Sequence, residues 1–397
     1  NDDQMAHAKS GMWWENEGQR ALANNSVAYK GKPEMGTFMR EWVSLYESKS
    51  GERGIFNRKS AQVQAAKNGR RDADHDFGCN PCSEIILRPY QFCNLSEVVA
   101  RAGDTEKTLA TKVGLATILG TFQSTLTDFK YLRNIWKKNT EEERLLGVSL
   151  TGIMDNELLS GNSATLGTNI SSTLELLREV AVETNKGMAK KLGIPRSTAI
   201  TCVKPSGTVS QLVDSASGIH ARHNAHYIRT VRGDNKDPLT QFLTSQGIPA
   251  EADVMKPEST TVFSFPMASP RGAVTRTILT AIEQLELWLT YQRHWCEHKP
   301  SVTISVKENE WMDVGAWVYK HFDEVSGISF LPFSDHTYKQ APYQDCTEDE
   351  YDAMLAQMPT SVDWSLLQEF EKEDTTSGGR ELACTADACE IVDLNAA

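Results

Sequence analysis

Cysteine is scarce in this chain, with eight residues among 397. That is too few for a disulfide scaffold, so each cysteine reads as core, catalytic or metal-binding in a reducing compartment. No apolar run approaches the roughly 18 residues that span a bilayer. The opening Asn1-Asp2-Asp3-Gln4-Met5 has no signal-peptide character, and the sequence reads as cytoplasmic with no membrane partner. Positive charge is in deficit: 41 Lys and Arg against 53 Asp and Glu leave a net charge of −12. That sign excludes broad binding to nucleic-acid backbones. It does not exclude a single nucleotide, whose phosphates backbone amides can hold locally. Internal repeats, low-complexity tracts, a Walker-type loop and adjacent tyrosines are all missing. An initiator Met is also missing, and Trp13-Trp14 and residues 22–29 carry structure-forming residues with no capping start before them. The chain therefore reads as a fragment of a longer fold.

What is present is the composition of a globular protein, 40% hydrophobic and 24% charged, enough for a sizeable core. Helical patterns alternate with short β-rich runs. Over about 173–192, Leu174, Leu177, Ala181 and Met188 share one helical face; Ser172 with Glu175 forms a capping box, and Gly193 and Pro195 stop the helix. Residues 197–203 then read as a buried strand ending at a Pro-Ser-Gly-Thr turn. The pattern recurs where Ile278, Ile282, Leu285 and Leu289 give a helical stripe, Pro300 breaks it, and 301–306 read as a strand. A third helix is expected over about 110–136, followed by a turn at Glu141-Glu142-Glu143 and the run 145–154. Such alternation implies parallel βαβ units, hence an α/β barrel or doubly wound sheet with its chemistry at the carboxyl ends of the strands. Residues 337–374 are acidic and turn-rich and read as a peripheral segment. Residues 375–397 begin with Thr375-Thr376-Ser377-Gly378-Gly379-Arg380 and read as a flexible tail.

The densest chemistry lies in Cys79-Asn80-Pro81-Cys82-Ser83-Glu84, followed by Phe92-Cys93-Asn94-Leu95. On an extended or looped backbone, residues two apart project to one side, so Asn80, Cys82 and Glu84 could face a common target. An amide, a thiol and a carboxylate suit a vicinal diol: the amide hydrogen-bonds a hydroxyl, the carboxylate takes its proton, and sulfur acts as nucleophile or radical. Cys79 and Cys82 also form Cys-x-x-Cys, which reads equally as a redox pair, half a zinc site or two buried thiols; no second such pair supports zinc. Cys384 and Cys389 sit on the tail, where a dithiol on a mobile arm suits thiol–disulfide exchange. Pro205-Ser206-Gly207-Thr208, preceded by Lys204, is either an ordinary turn or a phosphate-holding one. His220, His223 and His226 read as a pocket wall with Arg222 and Arg229 before they read as a metal site, and no metal is expected. Cys202, Cys296 and Cys346 read as structural.

Together these runs resemble the catalytic subunit of ribonucleotide reductase, and most closely the monomeric, class II, adenosylcobalamin-dependent ribonucleoside-triphosphate reductases. The resemblance is carried by Asn80-Pro81-Cys82-Ser83-Glu84, Phe92-Cys93-Asn94-Leu95, residues 50–57, 205–215, 218–222 and 227–238, and the Cys384/Cys389 pair. It spans nearly the whole chain. It implies a ten-stranded α/β barrel with a finger loop at about 78–95, of which residues 1–336 would be the C-terminal part. It also implies the following roles. Cys82 would be the thiyl radical that takes the 3′-hydrogen of the ribose, Glu84 the base for the 3′-hydroxyl, and Asn80 a donor to the substrate hydroxyls. Cys93 would be one of two cysteines that become a disulfide. Cys384 and Cys389 would re-reduce that disulfide and be reduced by thioredoxin or another dithiol. Pro205, Ser206, Gly207 and Thr208 would hold the triphosphate. Adenosylcobalamin would be the cofactor, a deoxynucleoside triphosphate the effector, and the enzyme a monomer. No cysteine precedes Cys79, so the partner of Cys93 and the effector site are expected on residues this chain does not supply.

Three other readings stay open. A diiron-dependent large subunit would need a tyrosine pair that the sequence lacks. A non-catalytic nucleotide-binding part of a split enzyme fits the missing cysteine but not the intact Asn80/Cys82/Glu84 trio. A plain dithiol oxidoreductase would use Cys79 and Cys82.

Overall fold

In the computed structural model the residues described are 3–10, 18–20, 25–48, 51, 53–161, 169–333, 340–372, 380–385 and 388–393. The strands that build the site are β1 (Ser26–Tyr29), β2 (Gly54–Asn57), β3 (Gly78–Cys79), β4 (Ile86–Leu87), β5 (Asn94–Val99) and β6 (Leu146–Thr151). After them come β7 (His226–Asp234), β8 (Ala250–Ala252), β9 (Thr260–Ala268), β10 (Val302–Val306), β11 (Ile328–Pro332) and β12 (Tyr343–Asp345). The last two are β13 (Arg380–Thr385) and β14 (Ala388–Asp393).

A row of parallel strands runs through the molecule. β5 pairs with β6 over six residues, Asn94 opposite Leu146. Residues 199–203 continue the row: Val148 bridges Thr201, Val203 bridges Pro300, and both bridges are parallel. The amides of Leu146 and Val148 donate to Ala199 and Ile200, as a strand's would, so the buried strand expected over 197–203 is present in its pairing. Beyond Pro300 the chain becomes β10, which pairs in parallel with β11. The direction then reverses, because β11 meets β2 antiparallel at Ile328–Ile55, and β2 runs parallel to β1. Among the described residues β1 and β5 each have one neighbour, so the row is an open array.

Helices cover the outer face. The helices Glu106–Gln123 and Ile170–Leu192 pack on each other, burying Leu109 and Val113 from one and Leu174, Leu177 and Ala181 from the other. The helix Ala281–His294 buries Leu285, Trp288 and Leu289. Two buried indoles then serve carbonyls of the row, Trp288 donating to Pro300 at 2.8 Å and Trp295 to Cys202 at 2.7 Å. Such pairing matters because a buried backbone carbonyl without a donor is costly.

Some elements depart from expectation. The helix over 173–192 starts at Ile170, and its cap is Asn169, whose side chain accepts from Ser171 N; the Ser172/Glu175 box is already inside the helix. The single helix expected over 110–136 is two, Glu106–Gln123 and Asn134–Glu143. Thr105 caps the first with Thr108, and at its end Ser124 and Thr125 turn their hydroxyls back onto the carbonyls of Thr121 and Phe122. Glu141-Glu142-Glu143 lie in the second helix, not in a turn. A four-stranded antiparallel sheet, in the order β12-β7-β9-β8, was not foreseen from the alternation of strands and helices. Residues 340–372 join it through β12, and Gln340 is buried against Glu251 and Ala252. Among the described residues no helix is long and apolar enough to cross a membrane.

Candidate active site

β3 and β4 form a short hairpin whose tip carries Asn80, Pro81, Cys82 and Ser83. Ser83 has φ 64° and its amide donates to Asn80 O, so the tip is a turn and two-residue alternation does not set its side-chain directions. Asn80 Oδ1 accepts from Ile85 N at 2.9 Å and braces the turn, which makes the amide nitrogen the end that can donate to a ligand hydroxyl. Cys79 Sγ rests 3.2 Å from Ser83 Oγ. Pro81 is exposed, Cys82 and Ser83 are half-buried, and Glu84 is fully buried.

The hairpin is seated inside the strand row. His298 accepts from Ile86 N through Nδ1 and meets Leu146 O at 3.0 Å through Nε2, while Lys299 N donates to Glu84 O. Burial holds the His298 imidazole well below its usual pKa, so it is neutral and Nε2–H is the donor to Leu146. Below it, Arg71 makes a two-pronged buried pair with Glu143, at 2.9 Å on each oxygen, and a third bond to Ile86 O. Gln91 completes the clamp on Glu143 and Asn139 O. Gly147 of β6 permits the close approach, since a Cβ there would run into the side chains of Leu95 and Ile85.

Among the described residues neither oxygen of Glu84 has a hydrogen-bond partner, although both are buried, and Lys204 Nζ stands 3.6 Å from Oε1. Burial works against the Lys204 charge, but Glu84, Cys82 and Cys202 outweigh it and raise its pKa. Cys93 lies just before β5, where Asn94 donates from its backbone and its side chain to Leu145 O. Burial, and then the Glu84 charge, push the Cys93 thiol up, so at rest it is protonated. Cys82, Glu84, Cys93 and Lys204 are thus brought to one place.

Lys204 begins the Pro205-Ser206-Gly207-Thr208 loop at the carboxyl end of residues 199–203. Lys204 N donates to Ser149 Oγ, and Ser206, with φ 50°, donates its hydroxyl to Glu97 Oε2 at 2.8 Å. Ser217 donates to Pro205 O, and Gly218, at φ +54°, lies so close to Lys204 O that a Cβ would collide with it. Thr208 is in the short helix Gly207–Leu212. Burial raises the pKa of Glu97 against the opposing effects of Ser206 and Lys204. Sequence reasoning missed Glu97 and Lys299, and it placed Gly218 in a motif without its approach to Lys204 O. Glu97 lies in the fifth position of an otherwise ordinary Cys-Asn-Leu-Ser-Glu-Val run, and nothing local marks it as a neighbour of Ser206.

The other candidates separate. His220 lies between Ser217 O and Thr303 N, His223 pairs with Asp345 and stacks on Tyr343, and His226 meets Tyr351. Arg222 is locked into a buried pair with Asp155 and a second with Asp214, and Arg229 lies over Tyr343, so the expected pocket wall is instead a set of packing contacts. Cys202 and Cys296 are buried; Cys346 is half-buried. Cys384 and Cys389 stand directly opposite each other in the β13–β14 ladder, with β14 running beside the helix Gly207–Leu212. Residues 375–379 of the expected linker lie outside the described residues.

No family model matches the chain. It is 26% identical over 347 residues to a protein of Euglena gracilis named adenosylcobalamin-dependent ribonucleoside-triphosphate reductase, covering 86% of this chain and 46% of that one. A protein of the same name from Lactobacillus delbrueckii subsp. bulgaricus is 25% identical over 411 residues, covering 94% and 53%. One named probable adenosylcobalamin-dependent ribonucleoside-triphosphate reductase, from Dictyostelium discoideum, is 29% identical over 331 residues, covering 80% and 41%. The chain spans about half the length of the curated relatives it matches. The crystal structure of a B-12 dependent (class II) ribonucleotide reductase superposes with a TM-score of 0.73 at 22% identity, over 94% of this chain and 55% of that one, a likeness of fold. The resemblance read from the motifs is therefore found along the chain.

Proposed function

We propose that this chain carries the radical site of an adenosylcobalamin-dependent ribonucleoside-triphosphate reductase, making 2′-deoxyribonucleotides. The observation that supports it most is the Glu84 carboxylate, fully buried and without a hydrogen-bond donor, between the Cys82 turn and the Lys204 loop. A carboxylate left without a donor can accept the proton of a substrate hydroxyl. In this reading Cys82 Sγ, as a thiyl, takes the 3′-hydrogen, Glu84 takes the 3′-hydroxyl proton, and the Asn80 amide donates to the substrate hydroxyls. The 2′-hydroxyl leaves as water. Two electrons and two protons come from Cys93 and a second thiol, leaving a disulfide, and Cys82 returns the hydrogen atom to the 3′-carbon. Cys384 and Cys389, opposite each other across their ladder, would exchange with that disulfide and then with thioredoxin or another dithiol. Pro205, Ser206, Gly207 and Thr208 would hold the triphosphate, with Lys204 beside them.

The residues at the tip suit the cofactor. Cys82 is half-buried between exposed Pro81 and half-buried Ser83, so its sulfur can be reached from outside the strand row. Adenosylcobalamin would supply the radical that takes the hydrogen atom from the thiol and leaves a thiyl. The parallel array β5, β6, 199–203, β10, β11, reversed at β2 and β1, is read as part of the ten-stranded barrel. Effector binding, the second reducing thiol and the remaining strands would belong to the half of the relatives' length that this chain does not match. The diiron-dependent reading is not favoured, since the relatives above carry the cobalamin name.

The test is reduction of ribonucleoside triphosphates by the chain, alone and with a segment corresponding to the unmatched half of its relatives, with adenosylcobalamin and a dithiol. Turnover that needs the cofactor and disappears in Cys82→Ser is expected. A folded, nucleotide-binding complex with no turnover would leave the non-catalytic reading in its place.

A further inference from the structure

Two buried ion pairs near the site are closely built. Arg71 grips Glu143 with two nitrogens at 2.9 Å, and Arg222 grips Asp155 at 2.8 and 2.9 Å. Two-pronged geometry of that kind offsets the desolvation of both charges. Glu84 is treated differently. Its ion-pair partner among the described residues is Lys204 at 3.6 Å, and neither carboxylate oxygen accepts a hydrogen bond. As a structural pair this is poor, because a lysine ammonium is a point charge on a flexible four-carbon stem and lacks the guanidinium's fork.

The two ends of the pair also differ in freedom. The Glu84 side chain is sealed, at 0% exposure, on a turn braced by Asn80 and by Lys299 N. The Lys204 side chain is 35% exposed. Its backbone is pinned, with N donating to Ser149 Oγ at 2.8 Å and O crowded by Gly218, so the stem is the part left to swing. From Lys204 the chain runs directly into Pro205-Ser206-Gly207-Thr208, a loop that Ser206 ties to Glu97 and Ser217 ties at Pro205 O.

The geometry points to Lys204 as an exchangeable counter-ion: its ammonium covers Glu84 until the phosphates of a bound nucleotide draw it off, and only then does the carboxylate open to a ribose hydroxyl. A nucleotide carries both groups on one sugar, so phosphate and hydroxyl arrive together, whereas a nucleoside without phosphates leaves the base covered. The ammonium trades one anion for another, which costs less than leaving it with neither. Lys204 is then a positioning residue toward Glu84 and a binding residue toward phosphate. The exchange rests on the reductase reading for the roles of Glu84 and of the 205–208 loop.

The experiment is a double-mutant cycle on the binding of ATP to this chain, measured by calorimetry, with Glu84→Gln and Lys204→Met singly and together. Repulsion between Glu84 and the phosphates is present with and without Lys204 and cancels in the cycle. What remains is the change in the Lys204–Glu84 interaction on binding. Glu84→Gln is expected to improve ATP affinity by a factor roughly fivefold larger with Lys204 in place than in the Lys204→Met background, the size of a modest ion pair given up. Glu84→Ala takes its place in the cycle if Glu84→Gln does not fold. Equal gains, or a larger gain in the Lys204→Met background, overturn the exchange, and so does a wild type that binds no ATP. In the reconstituted reductase, Lys204→Met should raise KM for ATP by a larger factor than it lowers kcat; a loss confined to kcat counts against the exchange. If the cycle shows the coupling while the wild type reduces no nucleotide, the reductase reading falls and the exchange stands. Turnover without the coupling leaves the reductase and removes the exchange.

Discussion

An alanine at position 218 would have to keep a positive φ and push its methyl into the carbonyl of Lys204. The predicted cost of Gly218→Ala is about 1–3 kcal/mol of stability, read by denaturant titration, together with a displaced Lys204 loop and weaker nucleotide binding. Glu84 makes the complementary case. On the proposed reductase reading, Glu84→Gln keeps the shape but removes the proposed base, so turnover of the reconstituted enzyme should drop by about two to four orders of magnitude with nucleotide binding largely kept. His223 has a thermal signature. Burial, and Arg276 beside it, lower its pKa to about 4, while in the unfolded chain it titrates near its usual value of about 6.5. The unfolded state therefore takes up the proton first as pH falls. Stability from this residue is complete above about 6.5, declines down to about 4 and then levels off, a loss of at most about 3 kcal/mol. Comparing Tm against pH for the wild type and His223→Gln checks this; equal slopes over that window would refute it. At this scale the sequence was legible where the chemistry is local. Cys82, Asn80 and Glu84 lie within five positions and bear the motif. Glu97, Lys204 and Lys299 matter through contacts with residues more than a hundred positions away, and no local pattern carries that information.

Single elements hold the β3–β4 hairpin in place. The Arg71–Glu143 pair joins the segment before β3 to the helix Asn134–Glu143, and the same guanidinium reaches Ile86 O in β4. Arg71→Met would leave a carboxylate buried without its partner, for which about 3–5 kcal/mol is expected. Urea unfolding measures that loss, and a cost under 1 kcal/mol would mean that Gln91 suffices to hold Glu143. Helix identity was readable from the apolar periodicity of Leu174, Leu177 and Ala181, and the strands at 197–203 and 301–306 from their flanking prolines. Helix ends were harder to read. Asn169 outcompeted Ser172 as the cap because its side chain reaches Ser171 N. The break at Ser124 escaped notice because hydroxyl-to-carbonyl bonds end a helix without any glycine or proline to announce it.

At the scale of the whole molecule, the parallel sense of five adjacent segments was foreseeable from alternating helices and strands, while the antiparallel β7–β9 sheet was not. Its nine-residue ladder is built from strands carrying Arg229, Arg232, Thr230 and Ser264, too polar to stand out as a core signal. The join between β11 and β2 is also invisible to any local reading, since its partners lie some 270 positions apart: Ile328 and Ile55 are the single residue pair in register. Around it stand the bond from Gly327 N to Ile55 O, that from Asn57 to Phe322 O at 2.8 Å and that from Ser326 Oγ to Asn57 O at 3.3 Å. By contrast, β5 with β6 and β10 with β11 are knit over six and five pairs. With so few backbone bonds the seam rests on side chains, Phe38, Trp42 and Ile55 packing with Trp311, Phe322 and Phe330, and β1 with β2 is the sector expected to open first. Amide hydrogen exchange should then sort by sector. Protons of β1 and β2 would trade with solvent through a shared low-energy opening. Those of β6 and β10 would wait for global unfolding, and the rate at which the small sector lifts would set how often Lys299 and the turn above it meet water.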